Sequence, residues 1–162
     1  MSSLLVRKLL IAVVVLVLGA VNWSIFAKER IKTNGERIFL ALAPIDPRSL
    51  MQGDYMALRF DLASHIAAGE SGRAPLLVDS RGIATFSFDP NATGLRIRYR
   101  VRNGQVWLGT NAYFFEEGSA ERYAGARYGE FRIDRDSGEA VLVGLADKDL
   151  RKMGAPLPNS SD

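Results

Sequence analysis

Between Leu9 and Ala27 the chain carries no charge: LLIAVVVLVLGAVNWSIFA. As a helix these 19 residues reach roughly 28 Å at about 1.5 Å per residue, close to the ~30 Å hydrocarbon core of a bilayer. Arg7 and Lys8 precede the run and suit a cytoplasmic N-terminus, while Trp23 lies near the far end, where an interfacial aromatic belt places such rings. A cleaved signal peptide has a shorter apolar core, ~7–15 residues, ending at a small-x-small site. Here the run is longer, and bulky Ile25 stands two positions before Ala27. Lys28, Arg30 and Lys32 follow the run and weaken the charge asymmetry, offset in part by Glu29 and Glu36. The reading is an uncleaved single-pass anchor with its N-terminus inside, in the inner membrane if the cell is Gram-negative. It divides the chain into a cytoplasmic N-terminus (1–8), a transmembrane anchor (9–27), a linker (28–35), an extracytoplasmic, periplasmic domain (36–150) and a mobile tail (151–162).

Composition narrows the chemistry of that domain. The chain has no cysteine, which removes disulfides, thiolate nucleophiles and cysteine-ligated metals together. Its single histidine, His65, leaves no His-rich metal site, and no cofactor is expected. The formal charge of +3 is too small to argue for nucleic acid, which the compartment also disfavours. Its distribution matters more, because four arginines fall between Arg96 and Arg102.

From about Glu36 the pattern changes to short alternating runs between turn residues, which predicts a mainly β fold, α+β once the anchor is included. Arg37–Ala43 is an apolar candidate strand. In Tyr55–Leu62, Met56, Leu58, Phe60 and Leu62 share one face. Ile83–Phe88 is a third strand, stopped by Asp89-Pro90. The strongest local signal is Gly94–Thr110, where Asn103-Gly104 joins two alternating runs as the favoured two-residue hairpin loop. That fixes a register: Arg102 opposite Gln105, Val101 opposite Val106, Arg100 opposite Trp107, Tyr99 opposite Leu108. Ile97, Tyr99, Val101, Val106 and Leu108 then form a core face, and Arg96, Arg98, Arg100 and Arg102 surround Trp107 on the other. Glu130–Asp134 and Glu139–Leu145 read as a further hairpin across Arg135–Gly138, with a short helix over Ser119–Ala126. One small, mostly antiparallel sheet or barrel is the expected object.

The run DPRSLMQGDYMALRF (46–60) concentrates turn formers, charge and a tyrosine. Asp46-Pro47 suits a helix start and Gly53 a left-handed end, which predicts one capped helical turn over Arg48–Gln52. Arg48, Asp54 and Tyr55 are left without a plain structural reason. GDYMALRF, with Gly53, Asp54, Tyr55, Leu58 and Phe60, resembles the signature of the GDYXXLXY family of bacterial membrane-anchored proteins, as does the lead-in LALAPIDPRSLMQ. Phe60 stands where the signature has Tyr, which keeps the ring for packing and deletes the hydroxyl. The resemblance implies a membrane-anchored envelope protein and assigns no catalytic residue.

Three chemistries deserve weighing. A serine hydrolase on Ser49 needs a buried lysine base within reach, and Lys8, Lys28, Lys32, Lys148 and Lys152 all fall outside the predicted core strands, leaving only His65 as activator. A carboxylate pair drawn from Asp46, Asp54, Glu116 and Glu117 needs a convergence that sequence does not supply. Arg96, Arg98, Arg100, Arg102 and Trp107 could hold phosphates or acidic sugars, lipid headgroups among them, because guanidinium forks match such groups. The plainer alternative is a solvated face paired with acidic neighbours, with Arg100 stacked on Trp107. The expectation is a non-enzymatic interaction module near the membrane surface, with Asp46, Arg48, Gly53, Asp54 and Tyr55 as a candidate functional loop whose alternative is a purely structural corner. The alternative is an anchored hydrolase built on Asp46–Asp54. A partner in the same membrane fits Asn22 and Ser24, which can hydrogen-bond between helices.

Overall fold

The computed structural model describes residues 3–43, 51–52, 55–67 and 69–154. Helix α1 (Ser3–Asn34) is unbroken. Its apolar side chains project away from the rest of the chain, with Leu16 72%, Trp23 75% and Phe26 65% exposed. Among the described residues it is the one helix long and apolar enough to cross a membrane. Residues 28–34, expected as a linker, instead continue α1. Lys32 pairs with Glu29 at 3.2 Å, and the Thr33 hydroxyl donates to the Glu29 carbonyl at 2.9 Å. Ile31 is buried where the helix meets the sheet.

A single residue, Gly35, separates α1 from strand β1 (Glu36–Ala41). Its amide donates to the Ile31 carbonyl at 2.8 Å, and its carbonyl accepts from the Arg132 guanidinium at 3.2 Å. A Cβ there would collide with the Ile31 carbonyl and stand 3.1 Å from both Arg132 Cβ and Ile133 N. The joint is therefore a glycine for lack of space.

Seven strands form one sheet: β1, β4 (Gly72–Val78), β5 (Ile83–Phe86), β6 (Arg96–Arg102), β7 (Gln105–Trp107), β9 (Tyr128–Ile133) and β10 (Ala140–Ala146), in the order β10-β9-β1-β5-β4-β6-β7. Strands β1 and β5 run parallel; the other neighbours are antiparallel. The sheet curls into a half-barrel around a core in which Ile38, Leu40, Leu58, Leu76, Ile97, Leu108, Phe131, Ile133 and Leu145 are fully buried. Strand β7 is too short to cover the whole edge of β6, and the Arg98 amide there donates instead to the Gly138 carbonyl at 2.7 Å. The β9–β10 turn thus reaches across the curl to the far side of the sheet. Gly138, at φ +70°, permits this approach, since a Cβ would lie 2.7 Å from the Arg96 carbonyl.

A smaller sheet, in the order β2 (Met51–Gln52), β3 (Tyr55–Ala57), β8 (Ala112–Phe114), carries Tyr55. Gln52 pairs with Tyr55 and Met51 with Met56. Met51 and Gln52 are thus extended, and the predicted helical turn does not reach them. Arg48, Gly53 and Asp54 lie outside the described residues, as does Asp46. Met56, Leu58, Phe60 and Leu62 are all buried, as their alternation predicts. The strand itself ends early: after a Leu42–Phe60 bridge, Asp61–Ser64 forms one helical turn in which Ser64 Oγ donates to the Asp61 carbonyl. Phe60 meets Phe131 edge-on at 5.2 Å, and Gly129 makes room for both, since a Cβ would stand 2.8 Å from the Phe60 ring.

The Asn103-Gly104 hairpin forms in the predicted register, with φ of 50° and 71°. Of its core face, Ile97 and Leu108 are fully buried, while Tyr99, Val101 and Val106 are only half-buried. The predicted short helix is a 3-10 turn at Ala120–Tyr123. Ile83–Phe88 stops at Phe86, where Ser87 turns to bond Asp89. Residues 151–154, expected within a mobile tail, fold back: Met153 N donates to the Leu145 carbonyl at 2.8 Å, and Lys152 bridges to Ala146. The hydrophobic letters of the GDYXXLXY signature act as packing. Leu58→Ala should cost about 2–5 kcal/mol, measured by denaturant unfolding of the full chain in detergent; a cost below about 1 kcal/mol would contradict a core role for Leu58.

Candidate functional site

Three of the four arginines on the exposed face of β6 line one cleft. Their alternation along the strand puts Arg98, Arg100 and Arg102 on the same side. Trp107, opposite Arg100 across the hairpin, joins them. The facing wall is the start of β10, with Glu139, Ala140, Val141 and Leu142, and Lys28 of α1 completes the rim. The cleft has a volume of about 470 Å³. It occupies the gap between β6–β7 and β10 beyond the Arg98–Gly138 contact. Gly109, at φ +76°, lets the chain leave β7 against β10, where a Cβ would sit 2.8 Å from the Ala140 carbonyl.

Charge in the cleft is unbalanced. Four fixed cations meet one carboxylate, for a formal +3. Glu139 Oε2 accepts from Lys28 Nζ at 2.9 Å, and its Oε1 lies 3.7 Å from Arg98. Among the described residues, Arg100 and Arg102 have no acidic partner. Arg102 lies over the Trp107 ring, 5.8 Å from its centroid. The expected stack of Arg100 on Trp107 is thus taken by the residue diagonal to it, which a long side chain on the same strand face can reach. The Trp107 indole N–H is buried and has no acceptor among the described residues. Arg96 stands apart, donating to the Pro90 carbonyl at 2.7 Å.

The turn that carries Glu139 is held by Asp134, whose Oδ1 accepts from both Ser137 N and Ser137 Oγ at 2.7 and 2.6 Å. These Ser137 bonds draw the Asp134 carboxyl below its ordinary pKa, so the turn keeps its anionic anchor into acid conditions. Lys28 and Glu139 were not legible as site residues, because only the tertiary fold brings the helix end and the β9–β10 turn to the arginine strand. The available signals were that Lys28 is the first charge after the apolar run and that Glu139 ends a hairpin turn.

The other candidates assemble less. Asp46, Ser49 and Asp54 lie outside the described residues. Tyr55 is half-buried in β3, its ring 5.8 Å from Phe114. His65 is exposed on the Asp61–Ser64 turn and packs against Phe86 and Phe88. Glu116 and Glu117 are both exposed, and the Glu116 carbonyl accepts from Ser119.

A second hollow of about 480 Å³ is lined by Phe114, Phe115, Arg122 and Tyr123 among others. Burial, then a hydrogen bond with Tyr123, pushes the Tyr113 phenol beside it up to about 12. The unfolded chain ionises this group from about pH 10, which the folded chain resists. Stability tied to Tyr113 is therefore intact below about pH 10 and lost between there and about 12. Tyrosinate absorbance titration should show a late step that is lost in Tyr113→Phe; an unchanged late step in that variant would overturn the assignment.

Comparison with known proteins adds a family. No curated protein and no solved structure matches the chain. The profile of the GDYXXLXY protein family matches residues 17–145, from within the apolar helix nearly to the end of β10. With most of its length inside that match, including Tyr55, Leu58 and the aromatic variant Phe60 of the signature, the chain belongs to the GDYXXLXY family.

Proposed function

We propose that this protein is a single-pass envelope protein of the bacterial inner membrane, anchored by α1 with its N-terminus inside, whose periplasmic half-barrel is a non-enzymatic interaction module working at the membrane surface. Supporting the anchor is a helix apolar on all sides and uncovered by its own domain, a state that lipid accommodates and water does not. Arg7 and Lys8 before the apolar run favour the orientation.

The observation that carries the functional reading is the position of the cleft. Lys28 is the residue immediately after the uncharged run, and it lines the cleft. The arginine face then lies at the level where the membrane gives way to water. The cleft's chemistry suits holding rather than reacting. Guanidinium groups stay protonated and cannot act as general bases at neutral pH. Thr110 donates its hydroxyl to the Ala112 carbonyl at 3.0 Å, and Glu139 is engaged by Lys28 and Arg98. A partner within the same membrane is compatible with Ser24 and with Asn22, although Asn22 already donates to the Leu18 carbonyl at 2.9 Å.

Protease added to spheroplasts should digest the domain; protection until the membrane is permeabilised would contradict the periplasmic placement. A photo-crosslinking residue at position 102, in the cleft, should form adducts in native membranes, and one at position 81, outside it, should not. Equal labelling at both positions would remove the cleft from the interaction.

A further inference from the structure

We infer that the cleft is a phosphate-binding site, with Arg100 and Arg102 as the gripping residues and Glu139 as an internal anion that holds Lys28 and Arg98 until a ligand arrives. The inference deepens the proposed module and rests on its placement of the cleft at the membrane surface. Glu139 shows what one end accommodates, an oxyanion between Lys28 and Arg98. The other end repeats the offer with nothing in place to accept it, since Arg100 and Arg102 have no acidic partner among the described residues. Alternate residues on a strand stand about 6.5–7 Å apart, so two guanidinium forks can converge on one group that presents oxygens in several directions. A phosphate does this, whereas a carboxylate offers two oxygens in one plane.

Location names the nearest source. Because Lys28 directly follows the uncharged run of α1, the cleft opens at the depth where lipid phosphates lie, and an anionic headgroup reaches it without leaving the bilayer. A free phosphate ester has the same chemistry and must be distinguished by experiment.

The full chain carrying Trp23→Phe, so that Trp107 alone reports, is placed in nanodiscs of phosphatidylcholine or of phosphatidylglycerol and titrated with inorganic phosphate while Trp107 emission is followed. For a lipid ligand, emission differs between the two nanodiscs, and added phosphate has no effect in phosphatidylglycerol. For a free phosphate ligand, the same saturable titration appears in both. In either case Arg100→Gln with Arg102→Gln weakens the response by about tenfold or more, high salt weakens it, and Glu139→Gln strengthens it by freeing Arg98. Each arginine variant made singly gives an intermediate loss, which serves if the double variant misfolds. Emission indifferent to both phosphate and lipid, or a double variant that responds like the parent, overturns the site. If phosphate and phosphatidylglycerol are silent while position 102 still crosslinks to a protein, the interaction module stands and the phosphate site alone fails.

Discussion

The structure turns on one tight joint. Gly35 lets a long apolar helix pass directly into β1, the strand on which both halves of the sheet are built. With β9 on one side and β5 on the other, β1 cannot move without the domain. The joint is braced beyond the glycine itself: Ile31 is buried below it, Arg132 holds the Gly35 carbonyl, and Arg135 pairs with Glu36. Substituting any side chain at Gly35 drives a Cβ into the last turn of α1 and into β9. Helix and sheet are therefore joined through one residue, with no separate linker between them.

That direct joint gives the cleft its meaning. A charged hollow on a tethered domain could face any direction, but here the long apolar helix also completes the rim of the hollow. Lys28 and Glu139 tie the two together with a partly exposed ion pair, worth at most about 1 kcal/mol to stability. Its consequence is geometric: it fixes which end of the arginine row is occupied from within and leaves the other end open.

Much of the β domain was legible from local pattern, and the reasons differ by element. The β6–β7 hairpin was fully specified because Asn103 and Gly104 take the positive φ that few other pairs accept, and the register followed by counting. The alternation of Met56, Leu58, Phe60 and Leu62 held even where the ladder did not, because burial rather than hydrogen bonding sets that pattern. Strand β4 gave no alternating signal: GRAPLLV contains a proline, and its two halves pair with different strands. Nor could sequence show that β1 and β5 run side by side, since that contact is non-local. The charges of 28–34 suggested a linker, yet a charged segment continues a helix readily when Ile31 packs and Glu29 pairs with Lys32. At the site, the arginine row and Trp107 were readable as one face, but its division was not: Arg96 bonds to a loop, Arg98 shares Glu139, and Arg102 takes the indole.

The central claim is that the arginine cleft lies at the headgroup level of the membrane that α1 enters. Depth-dependent quenching of Trp107, in the Trp23→Phe background, measures this directly with lipids carrying a spin label either on the headgroup or deep in the acyl chain. The account predicts strong quenching by the headgroup label and little by the chain label. No quenching by either label would place the cleft away from the membrane and contradict it.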